Sequence, residues 1–337
     1  MKKILALIVL SVTMVSCYEE YLLDYPYTAI YFYLQQDVRT FVMGEGMQFK
    51  VGCTLGGVRE NASDRNVSYI LDPALVNLAR LDRMQFASQG YIRDAVSGLA
   101  ALQQLPASHY TVSNSSAIVI PSGYHTGTVT ITATDAFIND SVNTCRKSTY
   151  VLPFRLTSAD ADSLLYAKRT NVVGTMFENQ LFGFYWHGGA ALVNRASNPN
   201  TFQRADTTIV YKTTVPTQEN LIWNLTTLGP TRLACNGYLN NTTTLGKNML
   251  NLVLKGTTVY LSKGPDAPAN IDIIQEGACT FNNSKLLQER KVVLRYKVTQ
   301  TASPFFVYHC TDTLTFRNRI RDGINEWQDE NEANYSK

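Results

Sequence analysis

Charge is scarce in this sequence. Lys, Arg, Asp and Glu make up 17% of its 337 residues, and the formal net charge is only +3. Nucleic-acid binding needs a concentrated basic face, so no nucleic-acid partner is expected. Long apolar runs are missing as well. Ile4 to Val12 is about half of the roughly 20 residues that a spanning helix needs, and no later stretch approaches that length. Histidine is confined to His109, His125, His187 and His309, scattered with no ligand spacing. The cysteines after Cys17 are Cys53, Cys145, Cys235, Cys279 and Cys310, an odd number with no C-x-x-C pair, which indicates neither a zinc site nor a full disulfide framework. H-E-x-x-H, G-x-S-x-G, a phosphate-cradling glycine loop and S-x-x-K with its partner motifs are absent. A glycosidase needs only two carboxylates, which carry no sequence spacing of their own. The expectation is a protein without catalytic residues, metal or cofactor.

What is present begins at the N-terminus. Lys2-Lys3, a short apolar run and the small residue Ser16 directly before Cys17 have the layout of a secretory signal over residues 1–16. Met14-Val15-Ser16-Cys17 resembles a lipobox, with Met14 where leucine is usual. That resemblance implies a Cys17 diacylated on sulfur as the mature N-terminus; the competing reading is a soluble signal with a chance cysteine. Glu19 and Glu20 resemble the acidic export signal of Bacteroidetes surface lipoproteins. Loss of Lys2 and Lys3 with the signal lowers the net charge from +3 to +1. Two or three acyl chains anchor a protein stably without a membrane helix. The expected location is the outer membrane, lipid-anchored and exposed at the cell surface, with residues 17–27 as tether.

The body reads as strands. Met47, Phe49, Val51, Cys53 and Leu55 alternate with polar or small residues, and Val129, Ile131 and Ala133 do the same. An aromatic run, Tyr31-Phe32-Tyr33, lies in the first strand. Asp72-Pro73 is an N-cap followed by a first-turn proline, and a second apolar stretch runs from Ile92 to Leu105 before Pro106. Residues 28–158 are therefore expected to form an immunoglobulin-like β-sandwich with short helical insertions. The polar stretch Ser158 to Asp162 reads as a boundary. Beyond it, Ile209/Tyr211, Leu221/Trp223/Leu225, Leu250/Leu252/Leu254 and Val292/Leu294/Tyr296/Val298 mark further strands, expected over 165–325 as a β-barrel.

Leu105-Pro106, Tyr110, Ile118, Gly123 and Val151-Leu152-Pro153 stand where an N-terminal domain of unknown function has its motifs. That domain occurs in Bacteroidetes surface lipoproteins of polysaccharide-utilisation systems, sometimes ahead of a chitinase-like hydrolase. "FYWHGGAALVNR" and "DTLTFRNRIRDGINEW" resemble the C-terminal module of the same proteins. The resemblance implies an all-β chain whose second unit is a lipocalin-like barrel. Its implied partners are polysaccharide, an outer-membrane transporter and glycoside hydrolases.

As a strand, "LFGFYWHGGAAL" puts Phe182, Phe184 and Trp186 on one face and Tyr185 and His187 on the other. Tyr185, Trp186, His187 and Trp223 are the candidate glycan-binding residues, because sugar C–H faces pack on aromatic rings while hydroxyls need paired polar groups. The alternative places Trp186 in the barrel core and Tyr185 outside. Arg317, Arg319 and Arg321 alternate along one strand and would repel unless solvated or paired; the acidic tail 326–337, with Glu326, Asp329, Glu330 and Glu332, is the expected source of partners. The function expected is a non-catalytic, surface-tethered glycan binder. Adhesion to other proteins, or an apolar ligand inside the barrel, are the alternatives.

Overall fold

A computed structural model describes residues 27–140, 142, 145–196, 207–211, 220–302 and 305–328. Cys17 and residues Asp329, Glu330 and Glu332 lie outside them. The described chain is almost entirely β, as expected, and builds a sandwich followed by a closed barrel.

In the sandwich, strand Gln48–Gly56 pairs antiparallel with Thr126–Ala133, setting Val51 opposite Val129 and Phe49 opposite Ile131. Their inward side chains meet Phe41, Phe154 and Val173 from the facing sheet, all at or below 9% exposure. That facing sheet is buried on its other side too. Helices Leu78–Gln85 and Gly90–Val96 press Leu81, Met84, Ile92 and Val96 onto Val38, Val151 and Val172. Each such apolar side chain contributes about 1.5–3 kcal/mol by burial, which explains why an all-β unit carries a helical insertion. Asp72 accepts from the Ala74 N–H ahead of the short helical turn Pro73–Leu75, as a cap should.

The expected boundary falls inside this first unit. Ser163–Leu164 runs parallel to Ala29–Ile30, and Thr170–Glu178 inserts between Gln36–Val42 and Tyr150–Ala159. The polar stretch 158–162 is therefore a turn at a strand end. Turns and linkers share a composition, so sequence does not separate them. The chain passes to the second unit only after Glu178.

There an 11-stranded sheet closes on itself, because Gly183–Ala196 pairs along nearly its whole length with Phe305–Arg321. Closure removes the exposed edges that an open sheet must otherwise protect. Val292, Leu294, Tyr296 and Val298 point inward, as their alternation predicts. The expected acidic tail begins as structure: Ile324–Glu326 folds back on Arg319–Arg321. Cys53, Cys145, Cys235, Cys279 and Cys310 are all unbridged, and burial pushes the Cys53 and Cys235 thiols up to about 12.

The two units are joined by a buried ion network. Arg319 grips both Glu45 oxygens at 2.7 Å, and Arg290 reaches Glu45 Oε1 at 2.7 Å. Nearby, the Thr40 hydroxyl donates to Asp322 Oδ1 at 2.6 Å. Gly323 sits at φ 79° against the Tyr91 ring, where a Cβ would come within 2.7 Å of it.

Glu178 ends the last sandwich strand inside this junction. Burial pushes its carboxyl up to about 7 from 4.5, with Thr227 and Arg146 opposing more weakly. Between those values the unfolded chain ionises before the folded one, so stability falls as pH rises from about 4.5 to 7. Glu178→Gln should abolish that fall, on the order of 3 kcal/mol. Thermal melts from pH 4.5 to 8 would show this as a variant gaining stability over the parent only toward the alkaline end.

Candidate functional site

The structure divides the four predicted aromatic and histidine residues between two places. Tyr185, His187 and Trp223 lie inside the barrel at no more than 1% exposure, while Trp186 projects outward and is half-buried. They do not form one surface platform, and the expectation that they do is corrected. The inverse core arrangement, with Trp186 inside and Tyr185 outside, is corrected as well. Aromatic residues of both parities made the two faces of this strand look alike. Inward placement wins for Tyr185 because its hydroxyl donates to the Leu181 carbonyl at 3.0 Å, which removes the cost of burying it.

Inside the barrel these residues are packed against one another. The His187 ring stacks on Trp223 at 3.9 Å and 8°, with Tyr211 tilted against it at 5.2 Å. His187 Nε2 lies 3.3 Å from Asp312 Oδ2, and the Tyr296 hydroxyl donates to the same oxygen at 2.6 Å. Burial pushes the Asp312 carboxyl up, against the opposing pull of His187 and Tyr296. This is a polar centre sealed from solvent by the barrel wall, so a sugar cannot stack there from outside. Trp186 is no better placed: the Arg317 guanidinium sits 5.0 Å from its ring centroid.

A solvent-open cleft lies instead in the sandwich, with a cavity volume of ≈ 90 Å³, lined by Tyr33, Leu34, Asp37, Arg39, Lys50, Val51, Gly52, Asn171 and Val173. It forms where the chain leaves one sheet for the other. Phe32, fully buried, anchors the crossing and turns its neighbour Tyr33 outward at 76% exposure. The Phe32 N–H donates to the Lys168 carbonyl, and Gln35 Nε2 donates back to the Phe32 carbonyl, each at 2.9 Å. The backbone that carries the aromatic rim is thus held at Phe32. On one wall, Gln48–Gly56 pairs with Ala29–Tyr31 only at residues 54–56, leaving its edge beside the cleft without a strand partner among the described residues.

On the other wall, Asp37 is 4% exposed and fully engaged. Its Oδ1 accepts from the Val38 N–H and the Tyr91 hydroxyl at 2.9 Å, and its Oδ2 meets Arg39 Nη2 at 2.8 Å. Asn171 is 6% exposed, and its Oδ1 is buried without a hydrogen-bond partner. A cavity of this size holds several waters, at roughly 10–15 Å³ each. Sequence reasoning missed the cleft because its walls come from three separated segments. The one local signal was the run Tyr31-Phe32-Tyr33, whose alternation sets Phe32 inward and Tyr33 outward.

Among the described residues no group of three or more His, Cys, Asp or Glu is placed to hold a metal ion. No helix there is long and apolar enough to cross a membrane.

A family model for an N-terminal domain matches residues 25–163, less than half of the chain. No curated protein matches the sequence. The crystal structure of a protein of unknown function from Bacteroides ovatus is similar over 91% of this chain and 99% of its own, at 18% identity and a TM-score of 0.59. A multidomain protein including DUF1735 from the same organism covers 89% of this chain and 100% of its own, at 13% identity and a TM-score of 0.39. The first likeness supports the two-unit all-β fold. The family description names no catalytic activity.

Proposed function

We propose that this protein is a lipid-anchored, non-catalytic lipoprotein of the outer cell surface that holds glycan for a polysaccharide-utilisation system. The observation that carries the reading is the sandwich cleft, which sets an exposed Tyr33 ring beside Arg39, Lys50 and Asn171. Sugars need this combination: a flat apolar face for their C–H edge and fixed polar groups for their hydroxyls. A tethered binder raises the local concentration of polymer near a transporter and hydrolases, and several weak contacts along one polymer add through avidity. The packed interior of the barrel, filled by Trp223, Tyr185 and Tyr296, argues against an apolar ligand held there.

The test is affinity electrophoresis of the full chain, extracted in detergent, through gels containing plant, mucin or microbial polysaccharides. At least one polymer should retard it. Tyr33→Ala should weaken that retardation about tenfold, a loss of about 1.4 kcal/mol, while Trp186→Ala leaves it unchanged. The reading fails if no polysaccharide retards the parent, or if Trp186→Ala and not Tyr33→Ala abolishes the effect.

A further inference from the structure

The chemistry of the cleft also indicates which sugars it would hold, an inference that rests on the glycan-binding reading above. We infer that the cleft selects a sugar residue bearing a carboxylate. Two cationic residues, Arg39 and Lys50, line it, and Asp37 is its one acid. Asp322 also acts on Arg39 by charge, but the lining residues by themselves carry one excess positive charge, which a single carboxylate would balance.

The arrangement of Arg39 supports this. Asp37 accepts from two donors, the Val38 N–H and the Tyr91 hydroxyl, and its other oxygen meets the guanidinium Nη2 at 2.8 Å, so it holds the planar group at the cleft wall from one side. Nε and Nη1 of Arg39 have no partner among the described residues, and the side chain is 33% exposed. A guanidinium fixed on one side with free N–H groups on the other is suited to a carboxylate, through charge-assisted hydrogen bonds that a neutral hydroxymethyl group forms only weakly. Lys50 adds a second positive charge from an exposed position on the facing strand.

Asn171 supplies the independent sign that something polar belongs here. A buried carbonyl oxygen without a partner costs about 1–3 kcal/mol, and Asn171 is one of the residues that line the cleft. That oxygen is sealed from solvent, and a half-turn of the amide exchanges it with the amino group, so Asn171 accepts from a ring hydroxyl once the amide has turned. With Tyr33 under the C–H face, the carboxylate on Arg39 and Lys50, and a hydroxyl on Asn171, one sugar ring is held at three points.

The experiment compares sugars that differ only at carbon six. Glucuronate against glucose and galacturonate against galactose are titrated calorimetrically into the full chain in detergent, with N-acetylneuraminate as a third acid. At least one acid should bind at least tenfold more tightly than the neutral sugars, and the preference should shrink in 0.5 M salt as screening grows. Arg39→Gln should remove the preference, and Lys50→Gln, at an exposed position that does not threaten folding, should reduce it. Tyr33→Ala should weaken acidic and neutral sugars alike. Equal binding of acid and neutral forms overturns the charge selection and leaves the glycan-binding reading standing. Failure of every sugar and every polymer overturns both. A preference that survives Arg39→Gln in a folded variant overturns the assignment to this cleft.

Discussion

Glu45→Ala should lower the stability of the whole chain by about 3–5 kcal/mol, the loss typical when one partner of a buried ion network is removed. Glu45 is contributed by the sandwich and its partners by the barrel. All three side chains are nearly sealed, with Glu45 at 4%, Arg290 at 3% and Arg319 at 1% exposure. Removing the carboxylate leaves two buried guanidiniums facing each other, with Glu326 the remaining acid on Arg319. The variant should therefore unfold in two denaturant transitions, because the contact that couples the units is gone. If Glu45→Ala unfolds in a single step within about 0.5 kcal/mol of the parent, the network does not hold the units together.

The same carboxylate sets an acid limit. Burial by itself would raise the Glu45 carboxyl, but hydrogen bonds and charge from Arg319 and Arg290 more than reverse this and hold it below its ordinary 4.5. Its stabilisation is thus complete above about pH 4.5 and is lost as pH falls through the lowered value. Glu178 acts with the opposite sign, losing stability as pH rises from 4.5 to about 7. Between them they place the most stable range near pH 4.5–5 so far as these two groups decide it, with the junction weakening in both directions.

The strands were legible in the sequence because each has one buried face. Phe49, Val51, Cys53 and Leu55 could only be an alternating strand, and all four are buried. The arginine series was half legible. Three like charges demanded partners, and Glu326 is one, accepting from Arg319 at 2.6 Å and Arg321 Nε at 2.9 Å. A register shift between Phe184 and Tyr185 splits the series, so that Arg319 is buried while Arg317 stays outside over Trp186. No local pattern announces such a bulge. Nor does any pattern announce Glu45, whose arginine partners lie at the far end of the chain. The cleft is the extreme case: Arg39, Lys50 and Asn171 are ordinary strand residues singly, and become a site only through the parallel pairing that lays Val173 beside Asp37. Alternation reports which side of a strand is buried; it does not report which strands will be neighbours.

Cys17→Ala should release the protein from the membrane entirely. This prediction rests on sequence alone, since Cys17 lies outside the described residues. Each buried acyl methylene contributes about 0.8 kcal/mol, so one myristoyl-length chain binds marginally and two or three hold firmly. With no other anchor proposed, loss of the acylated sulfur should move the protein from the membrane pellet to the soluble fraction and abolish palmitate labelling. Glu19→Ala/Glu20→Ala separates anchoring from display: labelling should persist while protection from external protease on intact cells increases. The soluble Cys17→Ala form should still bind polysaccharide in a gel, because Cys17 is not among the residues that line the sandwich cleft, yet cells carrying it should lose their hold on the polymer. Palmitate incorporation that survives Cys17→Ala would remove the tether from the account, and with it the reason weak single-site binding would be useful at a cell surface.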